Sequence, residues 1–320
     1  MSLELTIRPA TVDDVPVLFN LVLALAEYEK LSHAVTGNPE ILGEHLFGSN
    51  PYVEALLAEY AGQAAGFALF FHNYSTLLTL PGIYLEDLFV LPNFRRKGIG
   101  KAIFAYLAQL AIARHCGYLE WSVLDWNEPA IAFYRRMGAS ISDNHRICRL
   151  TGHSLTKLAD GNSSSILRSA VPHDVPELVR LVQAKAQLEK TPDTFIGTAA
   201  TLKEHLFGSR NYAEATMVEQ SGEVVGYTTF CHNYSTFLTK PGLYLEDSFI
   251  APDYQHQEID SAVLTHFAQL AVSRNCGRVE CLVDVKDKQR IAFYESMGAK
   301  TLPDWRLCRV TGDSLRQLAA

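Results

Sequence analysis

The pattern of apolar and polar positions changes period several times along the first 150 residues. Leu3–Arg8 alternates, as a half-buried strand does. Thr11 and Asp14 have the spacing of a capping box, and Val15, Leu18, Val22 and Leu25 then recur at helical intervals. A second helix is predicted from Pro39 to about Phe47. Val53–Tyr60 and Ala65–Asn73 read as two strands of a hairpin turning at Gly62-Gln63. Gly82 precedes a strong strand, Ile83–Val90, and Gly98 opens a helix whose Ile99, Ile103, Leu107 and Leu110 share one face. Leu119–Leu124 is another strand. Pro129 sits near the first turn of a helix that stops at Gly138, and Arg146–Leu150 is a last strand. This alternation predicts an α/β fold with hairpins.

The whole pattern is then written a second time. HNYSTLLTLPGIYLED at 72–87 returns as HNYSTFLTKPGLYLED at 232–247, an offset of 160. The same offset carries His45-Leu46-Phe47-Gly48 onto His205-Leu206-Phe207-Gly208 and Ile131-Ala132-Phe133-Tyr134 onto Ile291-Ala292-Phe293-Tyr294, with no gap. So long a period marks a duplicated domain rather than a solenoid unit. The sequence divides into a first domain at 1–158, a connector at 159–165 that is short and flexible by composition (Asp160-Gly161-Asn162-Ser163-Ser164-Ser165), and a second domain at 166–320. Roughly six residues span at most about 20 Å, so the two domains must be neighbours, and packing about a pseudo-twofold axis is expected.

Composition narrows the class. With 320 residues, 48% hydrophobic and 20% charged, the chain suits two soluble globular domains and is too apolar to be mainly disordered. A net charge of −7 argues against a nucleic-acid partner held through phosphates. No run of about 18 apolar residues suggests a membrane span. MSLELTIRPA lacks the basic and apolar regions of a secretory signal, so a cytoplasmic location is expected. The six cysteines form no CxxC pair, which leaves zinc unsupported and predicts buried free thiols.

The candidate chemistry lies between residues 84 and 101. Tyr84-Leu85-Glu86-Asp87-Leu88-Phe89-Val90 ends a strand, and Arg95-Arg96-Lys97-Gly98-Ile99-Gly100-Lys101 forms a basic turn that opens a helix. Two glycines let backbone N–H groups converge on an anion, and the helix terminus and three cationic side chains add positive charge. Together they suit a pyrophosphate. The spacing is neither that of a Walker A loop nor GxGxxG.

Arg95-x-x-Gly98-x-Gly100 after a strand resembles the acetyl-CoA pyrophosphate motif of the GNAT acetyltransferases. The likeness extends through Ile7-Arg8-Pro9-Ala10-Thr11, Leu25-Ala26-Glu27-Tyr28-Glu29, Gly66-Phe67-Ala68, Trp126-Asn127-Glu128-Pro129, and Phe133-Tyr134 followed by Gly138-Ala139. Within that superfamily the first copy is similar to the spermidine/spermine and thialysine N-acetyltransferase branch. Asn73-Tyr74-Ser75-Thr76 lacks the acidic residue that the polyamine enzymes carry after the tyrosine, which favours the thialysine-type relatives and leaves diamines and amino-acid-like amines open.

The resemblance implies two GNAT folds in tandem, each a mixed, splayed sheet flanked by helices, with acetyl-CoA as co-substrate in the wedge. Leu88, Phe89 and Val90 would pair with the pantetheine arm. Arg95, Arg96, Lys97, Gly98, Ile99, Gly100 and Lys101 would wrap the pyrophosphate, and Asn127 and Pro129 would line the other wall. Glu86, through water, is the family's candidate for removing the ammonium proton, and Tyr134 for protonating the leaving thiolate. Tyr28, Glu29, Asp87 and Trp121 match acceptor-contact positions, with Glu27 in the same acidic cluster. Each has a plainer reading: Tyr134 as a core aromatic, Trp121 and Trp126 as packing residues, Glu29 as a solvated helix end.

The second copy departs where the cofactor should sit. Arg95-Arg96-Lys97-Gly98-Ile99-Gly100 becomes Gln255-His256-Gln257-Glu258-Ile259-Asp260, and Asp125-Trp126-Asn127-Glu128-Pro129 becomes Val285-Lys286-Asp287-Lys288-Gln289, while Glu246, Asp247 and Tyr294 persist. A degenerate domain serving as pseudo-dimer partner is expected. A small-molecule sensing module and a non-enzymatic CoA-binding protein remain as alternatives.

Overall fold

The computed structural model describes residues 4–162, 164, 166–191, 195–255 and 257–320. Leu3, Ser163, Ser165 and His256, which figured in the strand, connector and loop readings, lie outside them. The first half runs β1 (Leu5–Pro9), α1 (Val15–Tyr28), α2 (Pro39–Phe47), β2 (Glu54–Tyr60), β3 (Gln63–Ser75), β4 (Leu80–Val90), α3 (Ile99–Ala113), β5 (Tyr118–Leu124), α4 (Glu128–Arg136), β6 (Ser140–Ser142), β7 (His145–Thr151) and α5 (Gly152–Ala159). The second repeats it as β8 (Leu167–Ser169), α6 (Val175–Leu188), α7 (Ala199–Phe207), β9 (Glu214–Gln220), β10 (Glu223–Ser235), β11 (Lys240–Ile250), α8 (Gln257–Ser273), β12 (Arg278–Asp284), α9 (Lys288–Ser296), β13 (Lys300–Leu302), β14 (Trp305–Thr311) and α10 (Gly312–Ala319).

Two seven-stranded sheets result, ordered β1-β2-β3-β4-β5-β14-β6 and β13-β7-β12-β11-β10-β9-β8. The halves exchange their last long strands. β14 lies antiparallel to β5, with Cys308 opposite Trp121, and β7 lies antiparallel to β12, with Cys148 opposite Cys281. The helix after each exchanged strand follows it: Leu315 of α10 is buried in the first core and Leu155 of α5 in the second. Apolar periodicity cannot foresee this, because a strand's alternation says which face is buried and nothing about which edge it joins.

β3 and β4 are longer than their apolar alternation predicts. β3 runs past Asn73 to Ser75 and β4 begins at Leu80, and Asn73, Ser75 and the turn residues Thr76 and Thr79 between them are polar yet buried. The arm reaches into the other half, where Tyr74 joins the core under α6 and α7 and Tyr234 reciprocally joins the core under α1 and α2. The Tyr234 hydroxyl lies 3.0 Å from His45 Nδ1, and the Tyr74 hydroxyl lies 3.2 Å from His205 Nδ1. Burial pushes both histidines toward the neutral form, which suits a ring held against a phenol. The Thr36 and Gly37 amides both donate to the Phe237 carbonyl, each at 2.9 Å.

Candidate active site

β4 and β5 are parallel and pair only at Ile83–Leu119, Tyr84–Glu120 and Leu85–Trp121. Beyond Leu85 and Trp121 the strands part, and a cleft of about 1040 Å³ opens between them. The carboxylates are delivered to it by a bulge. Leu69 pairs with Asp87 and Phe70 with Leu85, so Glu86 is the extra residue on β4. Simple alternation would send Glu86 and Asp87 to opposite faces; with the bulge both line the cleft.

The basic turn closes one end. Gly98 caps α3 at φ +82°, a backbone that only glycine adopts without strain, and no acidic residue occupies the helix's first turn. Arg96, Gly98, Ile99, Gly100 and Lys101 line the cleft there, and Asn127, Pro129 and Tyr134 form the opposite wall with α4. Asn127 caps α4 by accepting from the Ala130 amide and also receives the Tyr28 hydroxyl at 3.3 Å, tying α1 to that wall. The converging N–H groups, positive helix end and arginine suit a polyphosphate. Burial raises the Tyr134 phenol above its ordinary range, so the hydroxyl is protonated.

The other end is acidic. Asp87 is 8% exposed, and its Oδ2 has no protein hydrogen-bond partner. Burial raises its affinity for a proton well above that of an ordinary carboxyl, the charge of Glu86 adds to this, and Thr236 and Arg278 act in opposition. Burial likewise pushes Glu29, the residue that follows α1, up to about 7 with help from Glu86. A buried carboxyl without an ionic partner holds its proton or exchanges it for a cation, and this end of the cleft has two such groups. Part of the cleft's wall comes from the second half: Ser235, Thr236, Phe237 and Arg278 line it, as does Trp305, the first residue of β14, which pairs with Leu124.

The twofold-related place in the second half is furnished differently. The Lys185 ammonium, on α6 where the first half has Leu25, pairs with Asp247 and lies 3.7 Å from Glu189. Tyr227, where the first half has Phe67, donates to Asp247 Oδ2 at 2.5 Å. Glu246 receives the Thr76 amide at 3.1 Å and hydroxyls from Thr76 and Thr229. At the cofactor end the first turn of α8 carries Glu258 and Asp260, and Arg290 reaches Asp260 at 4.0 Å and the Tyr294 hydroxyl at 3.4 Å.

Three expectations are corrected. Trp121, offered as an acceptor contact, is 1% exposed and packs edge-on against Phe104 and Tyr134 in the core, off the cleft lining. Lys97 places its ammonium 4.2 Å from the centre of the Tyr60 ring, outside the cleft that Arg96 and Lys101 line. Glu27 is exposed, since two residues along a helix is more than half a turn from Glu29. Arg95 lines the cleft but stacks 4.6 Å over Tyr28 and donates to the Val90 carbonyl at 3.0 Å, so it braces the wall as well. Glu29, Tyr28, Glu86, Asp87, Leu88, Phe89 and Val90 all line the cleft. Sequence reasoning passed over Lys185 and Arg278; the signal available was a charge appearing in one copy at a position where the other has Leu25 or Tyr118.

Among the described residues no helix is long and apolar enough to cross a membrane. L-ornithine N5-acetyltransferase NATA1 of Arabidopsis thaliana is 32% identical over 194 residues, covering 47% of this chain and 85% of that protein. Thialysine N-epsilon-acetyltransferase of Mus musculus is 34% identical over 164 residues, covering 48% of this chain and 96% of that protein. Among solved structures, a tandem GNAT protein from the clavulanic acid biosynthesis pathway superposes with a TM-score of 0.53 at 17% identity, over 96% of this chain and 98% of that one, a likeness of fold. The Acetyltransferase (GNAT) family model matches residues 24–139 and again 183–299, a span in each half that contains the parted strands and the turn between them. With the wedge, the bulged carboxylates and the helix-capping glycine in place, the chain belongs to the GNAT family of N-acetyltransferases and carries its fold twice.

Proposed function

We propose that the chain transfers an acetyl group from acetyl-CoA to a primary amine of a small cationic acceptor, a diamine, polyamine or thialysine-like amino acid, in the first-half cleft alone. The observation that carries this reading is Asp87, a buried carboxylate with one oxygen free in a cleft whose opposite end is positive. Bound there, the thioester would supply the activated acetyl group. Arg96, Lys101 and the α3 terminus at Gly98 to Gly100 would hold its phosphates, with Leu88 to Val90 and the Asn127–Pro129 wall along its length. Asp87 and Glu29 orient the acceptor ammonium, Glu86 takes its proton through water, and Tyr134 holds a proton for the departing thiolate.

The second half serves as a degenerate pseudo-dimer partner. Lys185 already occupies its acidic centre, and two carboxylates stand where an anionic cofactor would need donors. A filled cation seat also argues against a sensing role at that place. Acetyl transfer to ornithine, thialysine, 1,4-diaminobutane and spermidine, read with calorimetric titration of acetyl-CoA, tests the reading. Turnover of at least one amine and one acetyl-CoA per chain are expected; no turnover, or two sites per chain, would sink it.

A further inference from the structure

Arg278 opens β12 in the second half, yet its side chain works in the first half's cleft. It is 6% exposed, and its Nη2 donates to Glu86 Oε1 at 3.1 Å and to the Tyr234 carbonyl. Its Nε lies 3.2 Å from Glu280 Oε2 and 3.4 Å from Asn233 Oδ1. Glu280 in turn receives Arg149 from the exchanged strand β7 and the Asn233 amide at 2.5 Å. Glu86, Arg278, Glu280 and Arg149 thus form an ionic chain whose formal charges cancel. Outside it, Asp87 and Glu29 remain as carboxyl groups of the cleft that burial holds toward the protonated form.

The twofold-related position holds Tyr118, and the difference is one of charge at one carboxylate. Tyr118 packs beside Gly82 and Arg278 beside Gly242, two glycines whose missing Cβ atoms make room for the larger side chains. Arg309 lies over the Tyr118 ring and spends its charge on Glu120. Glu246 takes its hydrogen bonds from the neutral donors Thr76 and Thr229, with the Lys185 ammonium acting from beyond Asp247, whereas Glu86, at the same bulge, is in direct contact with a guanidinium. A homodimer of identical chains cannot make these two positions different; a fused chain can.

We propose that Arg278 is a positioning residue for acetyl transfer, contributed by the second half, whose guanidinium holds the Glu86 carboxylate as the proton acceptor and leaves Asp87 and Glu29 for the acceptor ammonium. This rests on the reading of Glu86 as the base. The groups facing Glu86 are Tyr84 and Asp87 on β4, Glu29 on α1, Tyr234 on β10, Arg278 and Glu280 on β12, and Arg149 on β7. Burial, the largest influence, and Glu280 raise the affinity of Glu86 for a proton above that of an ordinary carboxyl, and Arg278 and Arg149 limit the rise. Removing the guanidinium raises the pH at which Glu86 loses its proton.

The test is the pH profile of kcat/KM for ornithine, thialysine and 1,4-diaminobutane in the full chain. R278M should move the acidic limb up by about one pH unit or more, so that the loss relative to wild type approaches about tenfold on the acidic limb and vanishes by pH 9, with acetyl-CoA affinity unchanged. R278K should restore part of the shift. E280Q, which removes the carboxylate competing for Arg278, should move the limb the other way. Carboxyl titration by carbon-13 NMR, with E86Q to assign the signal, reads the same shift without turnover. Should R278M fail to fold, R278K and E280Q must still shift the Glu86 titration in opposite directions. An unmoved titration, or a loss equal at every pH that R278K does not relieve, overturns the proposal. Full activity in E86Q, with the titration shifting as expected, would instead strike at the base assignment.

Discussion

Asp87 and Asp247 stand at the same point of two copies of one sequence. Asp247 is met by the Lys185 ammonium and the Tyr227 hydroxyl, while Asp87 keeps an oxygen without a protein partner beside an open cleft. Burying a carboxylate is costly unless a cation and hydrogen bonds compensate. The second half supplies that compensation from its own helix α6. The first supplies no such cation, and on the proposed reading the acceptor ammonium takes that place. On the proposed reading the second seat is filled by its own side chain while Glu246, Asp247 and Tyr294 are retained around it.

The halves exchange a strand and the helix after it in both directions, so separating them should have the largest effect. A fragment ending at residue 160 lacks β14 and α10, leaving β5 an open edge and the Cys308, Val310 and Leu315 part of the first core unfilled. It also uncovers the arm carrying Tyr74. Light scattering should show a homodimer, which regains the exchanged strands from a second copy, or aggregation. A soluble, fully active monomer would show that the second half is dispensable.

Next in size is an exchange of the two seats. Leu25 lines the first cleft at the position of Lys185, so L25K should carry an ammonium to Asp87 and abolish turnover of every amine, with acetyl-CoA affinity kept. K185L should leave the rate intact and lower the melting temperature, because Asp247 loses its cation. Amine turnover surviving in L25K would show that the acceptor does not use Asp87.

The phenols give a smaller contrast. Y134F removes the proton donor and keeps the ring against Phe104 and Trp121, so kcat should fall by about a hundredfold with acetyl-CoA binding little changed. Y294F, beside Arg290 in the second half, should leave kcat at the wild-type value. Equal effects of the two would contradict the division of labour.

Much of this was legible in the sequence, for identifiable reasons. The helices over Pro39–Phe47 and after Gly98 carry their own stops and periodicity, and the structure has them at those places. The turn 95–101 declares itself because glycine and arginine are needed there locally. Strand exchange, the long arm and the cross-half wall depend on contacts between residues 100 or more positions apart, such as Arg278 on Glu86, which no local period encodes. Trp121 misled because a tryptophan beside a catalytic strand suits either a core or a site, and only the packing of Phe104 and Tyr134 decides.

The smallest expected effect concerns Glu29, which has no counterpart of Lys185 to neutralise it. Burial raises its carboxyl to about 7 from an ordinary value near 4.5. A folded-state value above the unfolded one means that the native protein holds a proton the unfolded chain has lost. Glu29's contribution to stability is therefore full below about 4.5, declines as pH rises toward 7, and levels off above it. E29Q should have the wild-type melting temperature near pH 5 and exceed it by a few degrees at pH 8. The same substitution should flatten the rise of kcat/KM across pH 7, since the ionised carboxylate attracts the acceptor and the amide does not. Diamines should raise the wild-type melting temperature more at pH 8 than at pH 6, and raise that of E29Q equally at both. A wild-type shift independent of pH would mean that Glu29 is already paired, as Asp247 is, and that Asp87 alone distinguishes the two seats.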